Sequence, residues 1–217
     1  MRWGFGAGTD LRSIAEARDA ARWADAAGFD GLWISHANGV DPVLAAACLG
    51  EDIPNLSEVG TSVTPLYGRH PIALAQLVRS AQSTLDGRFT FGVGASSAGV
   101  VADRFGTEWT NPLGFTREFL DALVPLLAGA PAAVEGHQVT ARAELGIDAD
   151  DTPILLAALG PKMLALAGAR TAGTSLGQCG PRTIASYVAP TIRAAAERAS
   201  RPRWTTRRAA PRSCSNR

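Results

Sequence analysis

At 217 residues, with 46% hydrophobic and 19% charged side chains, the chain has apolar material for one substantial core and a composition unlike that of a disordered polymer. No run approaches the roughly eighteen apolar residues of a bilayer crossing, and the Met1-Arg-Trp-Gly-Phe-Gly6 start turns polar too soon for a signal peptide. The formal charge of +1 joins two unlike parts: residues 1–197 carry fourteen basic against twenty acidic side chains, −6 in all, whereas Arg198–Arg217 holds seven arginines and no acid. Three dispersed cysteines, Cys48, Cys179 and Cys214, read as reduced thiols of a cytoplasmic protein, not as a disulfide framework or zinc site.

Arg2–Ala7 reads as a short buried strand, followed by a helix that Thr9 or Asp10 can cap. Ile14, Ala17, Ala21, Ala24 and Ala27 recur at helical spacing, and Gly28 ends that helix as a residue able to take positive φ. Phe29–Ser35 has almost no alternation, as expected of a strand covered on both faces. Pro42–Leu49 reads as a short helix and Val59–Pro65 as a third strand. Pro71–Leu85 reads as a helix whose proline sits in the first turn, where its missing N–H costs little. Arg88–Gly94 is the fourth strand, after which the polar stretch from Ala95 to Asn111 fits no simple connection.

Helical spacing returns through Phe115, Phe119, Leu123 and Leu126 in Pro112–Ala128. Residues 129–152 read as an insertion, with a small hairpin over Ala133–Val139 turning at Glu135-Gly136. Pro153–Leu159, Pro161–Arg170 and Gly173–Cys179 read as strand, helix and strand, and Thr183–Ala199 as a final amphipathic helix. Six strand–helix units result, in an order that builds a site at the carboxyl ends of parallel strands. The expected fold is therefore α/β, a TIM-barrel-like (β/α)8 architecture with about six of eight units. A complete barrel runs to about 250 residues. Residues 201–217 have no apolar periodicity, so the expectation is a barrel domain over 1–200 and an irregular arginine-rich tail over 201–217. We read that tail as the product of a truncated or frame-shifted barrel, with no nucleic-acid or membrane role. Open strand edges in such a chain invite association or aggregation.

Four segments together carry a resemblance. Ala27-Gly-Phe-Asp-Gly-Leu-Trp33, Gly60-Thr-Ser-Val-Thr-Pro65, Arg69-His-Pro-Ile-Ala-Leu-Ala-Gln76 and Gly87-Arg-Phe-Thr-Phe-Gly-Val-Gly94 are similar to the luciferase-like monooxygenase superfamily, within it the branch using the deazaflavin coenzyme F420. Ala157-Ala-Leu-Gly-Pro-Lys-Met163 and Gly180-Pro-Arg-Thr-Ile-Ala185 resemble its glycine–proline turns, so the likeness spans roughly residues 1–200. It implies a (β/α)8-type barrel, a flavin-like cofactor at the carboxyl ends of the strands, and hydride transfer between that cofactor and a small organic substrate. FMN with oxygen is the alternative on the same fold, an inactive remnant another. Dimerisation through helices of the early units is implied as well.

Several residues then become candidates for chemistry. At Ser62-Val63 the resemblance implies a bulge with a non-prolyl cis peptide that backs the cofactor ring. Gly92 and Gly94 end the fourth strand, where glycines either let backbone approach a ligand or ease packing; Ser96 follows with a hydroxyl. Gly160-Pro161 opens a helix whose unpaired N–H groups and dipole suit an anionic cofactor tail, and Lys162, the only lysine of the chain, adds a cation. Gly173 and Thr174 contribute there by resemblance, and Arg182 stands in a repeat of the pattern. The alternative is that both glycine–proline pairs merely start helices.

His36 is the one catalytic candidate. It follows the second strand where relatives carry an Asp-His pair, but here the run is Ile34-Ser-His-Ala37, without the aspartate. Its reading stays open between proton donor, ring contact and a structural role. His70 is expected to orient a loop, His137 to be exposed, and Trp33 to be core. Trp109 is expected either at the substrate pocket or at the surface. No spacing among histidines and carboxylates suggests a metal site.

Overall fold

Five strands lie side by side and parallel, in the order in which the chain makes them. The structure is a computed structural model describing residues 2–199; the expected tail over 201–217 lies outside the described residues. Strand β1 (Gly4–Gly6) leads through helix α1 (Ile14–Ala26) to β2 (Gly31–Ile34), and helix α2 (Pro42–Ala47) leads to β3 (Glu58–Thr61). After a two-residue break, β4 (Thr64–Pro65) continues the third strand, and helix α3 (Pro71–Thr84) leads to β5 (Phe89–Gly94). Helices α4 (Ala98–Phe105) and α5 (Pro112–Leu127) precede an antiparallel hairpin of β6 (Ala132–Glu135) and β7 (Thr140–Ala143). Strand β8 (Ile154–Leu156) and helix α6 (Pro161–Arg170) follow. The last described elements are α7 (Pro181–Thr183), a π turn over Ile184–Val188, and α8 (Ala189–Arg198).

The ladder runs β1–β2–β3–β5–β8, with Gly4 opposite Gly31, Leu32 opposite Val59, Val59 opposite Phe89 and Phe91 opposite Ile154. Strands in chain order with helices between them form the wall of a barrel. The fold is α/β and TIM-barrel-like, with about six of the eight units. Phe89, Phe91, Leu32 and Ile34 from the strands are fully buried, as are Leu74, Val78, Phe119 and Leu123 from α3 and α5. The removal of these side chains from water is the main stabilising term.

Local chemistry sets the boundaries. Ser13, not Thr9 or Asp10, caps α1: its hydroxyl accepts the Glu16 N–H, while the Glu16 carboxylate reaches past the cap to accept the N–H of Arg12, one residue before it. At the other end Gly28 takes φ +78°, while Phe29 N–H bonds to Ala24 O and Gly28 N–H to Asp25 O, so a left-handed glycine closes the helix. His70 precedes Pro71 and caps α3 through Nδ1, which accepts from Ile72 N–H, while its Nε2 lies 3.0 Å from Thr140 O. It does orient the strand-to-helix loop, and it also joins that loop to the hairpin. His137 is exposed.

Five expectations need correction. β1 is not buried: Gly4 and Gly6 are exposed, because β2 alone pairs with it among the described residues. The indole of Trp33 is half-buried and lies across Gly4 and Gly60 on the two flanking strands. The sixth strand shrinks to one bridge, Leu155 opposite Gly173; the Thr174 hydroxyl takes the Leu156 carbonyl at 2.7 Å, an oxygen the next rung of a ladder needs. The unassigned stretch after β5 holds helix α4, which ends on Gly106 with φ +58°. Finally, the last helix starts earlier, at Pro181, and carries a π turn. Pro190 has no N–H and crowds the carbonyl four residues back, and Ala189 N–H reaches Ile184 O five residues back, as a π turn requires.

Candidate active site

The carboxyl ends of the early strands enclose a cleft of about 240 Å³. Thr9 reaches it from beyond β1, Ser35 and His36 from the end of β2, Ser62, Val63 and Pro65 from the third-strand break, and Gly94 and Ser96 from the end of β5. Helix α4 closes one side with Val100, Arg104 and Phe105. Five of the residues marked out in the sequence, His36, Ser62, Val63, Gly94 and Ser96, therefore meet in one place. Gly92, Gly160, Pro161, Lys162, Gly173 and Thr174 do not line this cleft.

The Ser62–Val63 peptide is cis, and the ladder pauses there between β3 and β4. Ser62 N–H still bonds to Ile34 O at 2.9 Å, and its hydroxyl lies 3.2 Å from the Ser175 hydroxyl, across the mouth from the early strands. Behind the break, the Thr61 hydroxyl donates to Gly92 O at 2.7 Å and accepts from Gly92 N–H at 3.0 Å. A β-carbon on Gly92 would run into the Thr61 carbonyl oxygen. That glycine is buried and permits strand packing, so of the two readings open for it, ligand approach is corrected to packing. Gly94 stands nearer the opening, where a β-carbon would meet Val63 Cγ2 at 3.2 Å and Ala157 Cβ at 3.0 Å. Ser96 turns the chain into α4 with φ +63°.

The expected anion anchor occupies the next strand end along. Gly160 is the extended N-cap of α6 with no side-chain partner for the helix N–H groups, and Pro161 is at the first turn. Gly160, Pro161 and Lys162 are all exposed. Gly173 accepts Leu156 N–H through its carbonyl at 3.1 Å, and the Thr174 hydroxyl is engaged with Leu156 O. Both residues knit the wall, and the Ser175–Ser62 hydroxyl contact links this region to the cleft.

Charge in the cleft is sparse. Burial holds the His36 imidazole below its ordinary pKa, helped by Arg69 and Arg104 and opposed by Asp41. Asp41 caps α2 by accepting from Val43 and Leu44 N–H and is ion-paired with Arg69. Arg104 Nη1 donates to Ala37 O at 3.2 Å. Sequence reasoning missed Thr9, Ser35, Pro65, Val100, Arg104 and Phe105. The signal for the last three was present: Val101 is buried and the half-buried Phe105 follows at helical spacing before Gly106, although Gly99 obscures the pattern. Trp109 is half-buried beside the site, with Nε1 donating to Ala95 O at 3.3 Å.

This geometry agrees with the comparisons to known proteins. The family model described as luciferase-like monooxygenase matches residues 2–217; the chain belongs to that family. It is 32% identical over 183 residues to 5,10-methylenetetrahydromethanopterin reductase of Methanolobus tindarius, an alignment covering 83% of this chain and 55% of that protein. The coenzyme F420-dependent tetrahydromethanopterin reductase of Methanopyrus kandleri superposes with a TM-score of 0.80 at 21% identity, over 92% of this chain and 62% of that one. The oxygenating constituent of 3,6-diketocamphane monooxygenase from a Pseudomonas putida plasmid, a type II Baeyer–Villiger monooxygenase in complex with FMN, superposes with a TM-score of 0.74 at 21% identity, over 92% of this chain and 63% of that one. At such identities the two structures speak to the fold. The chain spans about half the length of the curated relative. No described helix is long and apolar enough to cross a membrane.

Proposed function

We propose that the cleft binds the ring of coenzyme F420 and that the protein is an oxidoreductase moving a hydride between that ring and a small organic substrate. The observation that carries this reading is the meeting of the cis Ser62–Val63 break, Gly94, Ser96 and His36 at the carboxyl ends of adjacent strands. The residues suit a flat, polar-edged ring. Val63 and Pro65 offer apolar wall, Thr9, Ser35, Ser62 and Ser96 offer hydroxyls, and Gly94 keeps the wall low. Gly160 and Lys162 stand where an anionic tail can be met by uncapped helix N–H groups and one cation.

When bound, the deazaflavin supplies the hydride chemistry; the protein supplies position and electrostatics. Ser62 and Val63, which line the cleft, would back the ring and leave its other face to substrate. His36 is kept neutral by burial and by two guanidinium groups, so its imidazole presents one donor and one acceptor nitrogen. That makes it a hydrogen-bond partner or proton acceptor in the cleft, not a resident proton donor. Helix α4 lines one side of the opening with Val100 and Phe105, which would give the ring an apolar edge there.

FMN is the second reading, supported by the likeness to an FMN-binding monooxygenase. Titrating the full chain with coenzyme F420 and, separately, with FMN, and following cofactor absorbance and tryptophan quenching, decides between them. Saturable quenching with F420 and none with FMN is the expected result; saturation by FMN alone transfers the proposal to the flavin, and no response to either ends it. In His36→Asn, turnover is expected to fall with cofactor affinity retained if the imidazole takes up a proton, and both to fall if it only touches the ring.

A further inference from the structure

We propose that Arg104 forms an anion-binding subsite in the cleft, taking a carboxylate or phosphate group of a bound molecule on its guanidinium fork. The inference rests on reading this cleft as the redox site, and it narrows what that site accepts. Among the side chains lining the cleft, Arg104 is the one with a permanent charge, and no aspartate or glutamate lines it. Arg2, Arg12, Arg18, Arg22, Arg69, Arg142 and Arg170 each meet a carboxylate, whereas Arg104 has no carboxylate within ion-pair distance among the described residues. Its one hydrogen bond among the described residues, Nη1 to Ala37 O, tethers the side chain across the mouth and leaves the rest of the fork without a partner among them.

Physical chemistry makes such an arrangement selective. A guanidinium offers five N–H donors in a plane that matches two oxygens of a carboxylate or phosphate, and charge-assisted bonds are the strong ones. The charge is felt inside the cleft, because it helps depress protonation of His36. The neighbouring hydroxyls of Thr9 and Ser35 line the same space. The chain is acidic overall, at −6 over residues 1–197, but no carboxylate lines the cleft beside Arg104, so the local charge at the mouth is positive and favours anionic guests over cationic ones. The anion has two sources: a carboxylate of the substrate, or the anionic tail of the cofactor folded back over the ring.

The test uses the full chain without cofactor, so it is read separately from the proposed function. Sodium acetate and inorganic phosphate are titrated at constant ionic strength against chloride. The readout is the His36 ring signal in NMR, assigned by its loss in His36→Asn. An anion seated on Arg104 shifts that signal saturably and raises the His36 pKa. Arg104→Gln is expected to weaken both responses about tenfold, the loss of one charge-assisted contact, and Arg104→Lys to restore part of them. Repeating the acetate titration with F420 or FMN bound separates the sources: continued binding assigns the subsite to substrate, and competition assigns it to the cofactor tail. Equal anion responses in the native chain and Arg104→Gln, or none in either, overturn the proposal whatever the cofactor titrations show.

Discussion

The two sides of the mouth are built to different standards. From β2 to β5 the wall is clamped: Thr61 and Gly92 exchange two bonds, and the Arg88 guanidinium donates to the carbonyls of Ile53 and Leu56 at 2.7 and 3.0 Å. From β8 onward the wall thins to a three-residue strand and a single bridge. Leu159, Ile184 and Tyr187 stand exposed there. Stability concentrates where ladders are paired on both sides and side chains interdigitate. A ring bound as proposed would lie against strands paired on both sides, and a tail at Gly160 against the thinner wall. The difference teaches that the proposed ring site draws most of its wall from the first four units.

The strongest way to break that contrast is to put a side chain on Gly92. Gly92→Val drives carbon into the Thr61 carbonyl and is expected to cost about 3 kcal/mol or more, the upper range of overpacking. Its cooperative thermal transition should be lost or markedly lowered. Gly160→Ala, whose β-carbon meets no atom within 4 Å, should stay within about 0.5 kcal/mol of the native chain. Next in size, Phe91→Ala should lose about 3–5 kcal/mol by denaturant titration, against about 1 kcal/mol for Leu176→Ala on the thin side, where the leucine is only half-buried. Equal losses would erase the distinction.

Smaller effects sharpen the electrostatics of the early half. Asp41→Asn keeps a capping oxygen for α2 but removes the charge that favours protonated His36, so the His36 pKa should drop further in an NMR titration. The smallest signal is in stability against pH. Because the folded-state pKa of His36 lies below its unfolded value, the unfolded chain takes up the proton first as pH falls through about 6.5. Stability should decline below that pH and level off once the folded imidazole is also protonated. His36→Asn should remove that part of the slope. A flat profile in the native chain would show that the imidazole is more solvated than its surroundings indicate.

Much of the early half was legible because its signals are local. Gly28 announces a left-handed close to α1, Pro71 and Pro112 mark first turns, and the apolar run through Leu32 and Ile34 marks a covered strand. The misses depend on partners that the chain brings from afar. Gly92 looked ready for a ligand until Thr61 was seen against it. Thr174 reads as a good strand residue, yet its hydroxyl removes a rung from the ladder it was expected to extend. Ser13 outcompetes Thr9 and Asp10 as a cap because it lies three residues before Glu16, whose N–H its hydroxyl accepts while the Glu16 carboxylate holds the preceding Arg12 N–H, a Ser-x-x-Glu spacing visible in the sequence. Helical spacing could place Arg104 on α4 but not single it out, since what distinguishes it is the lack, among the described residues, of a carboxylate nearby in space.

The indole of Trp33, laid across Gly4 and Gly60, binds three strands into one unit of inheritance. A β-carbon on Gly4 would approach Trp33 Nε1 to 2.7 Å and Cδ1 to 2.8 Å, while the nearest atom outside the indole, Gly31 O, stands at 3.9 Å. A methyl at position 4 is therefore tolerated only where the tryptophan has first given way to something smaller. In diverged copies of this chain, residues 4 and 33 should exchange bulk for bulk, while Gly60, pressed also by the Thr90 carbonyl at 2.8 Å, should remain bare whatever its neighbours become.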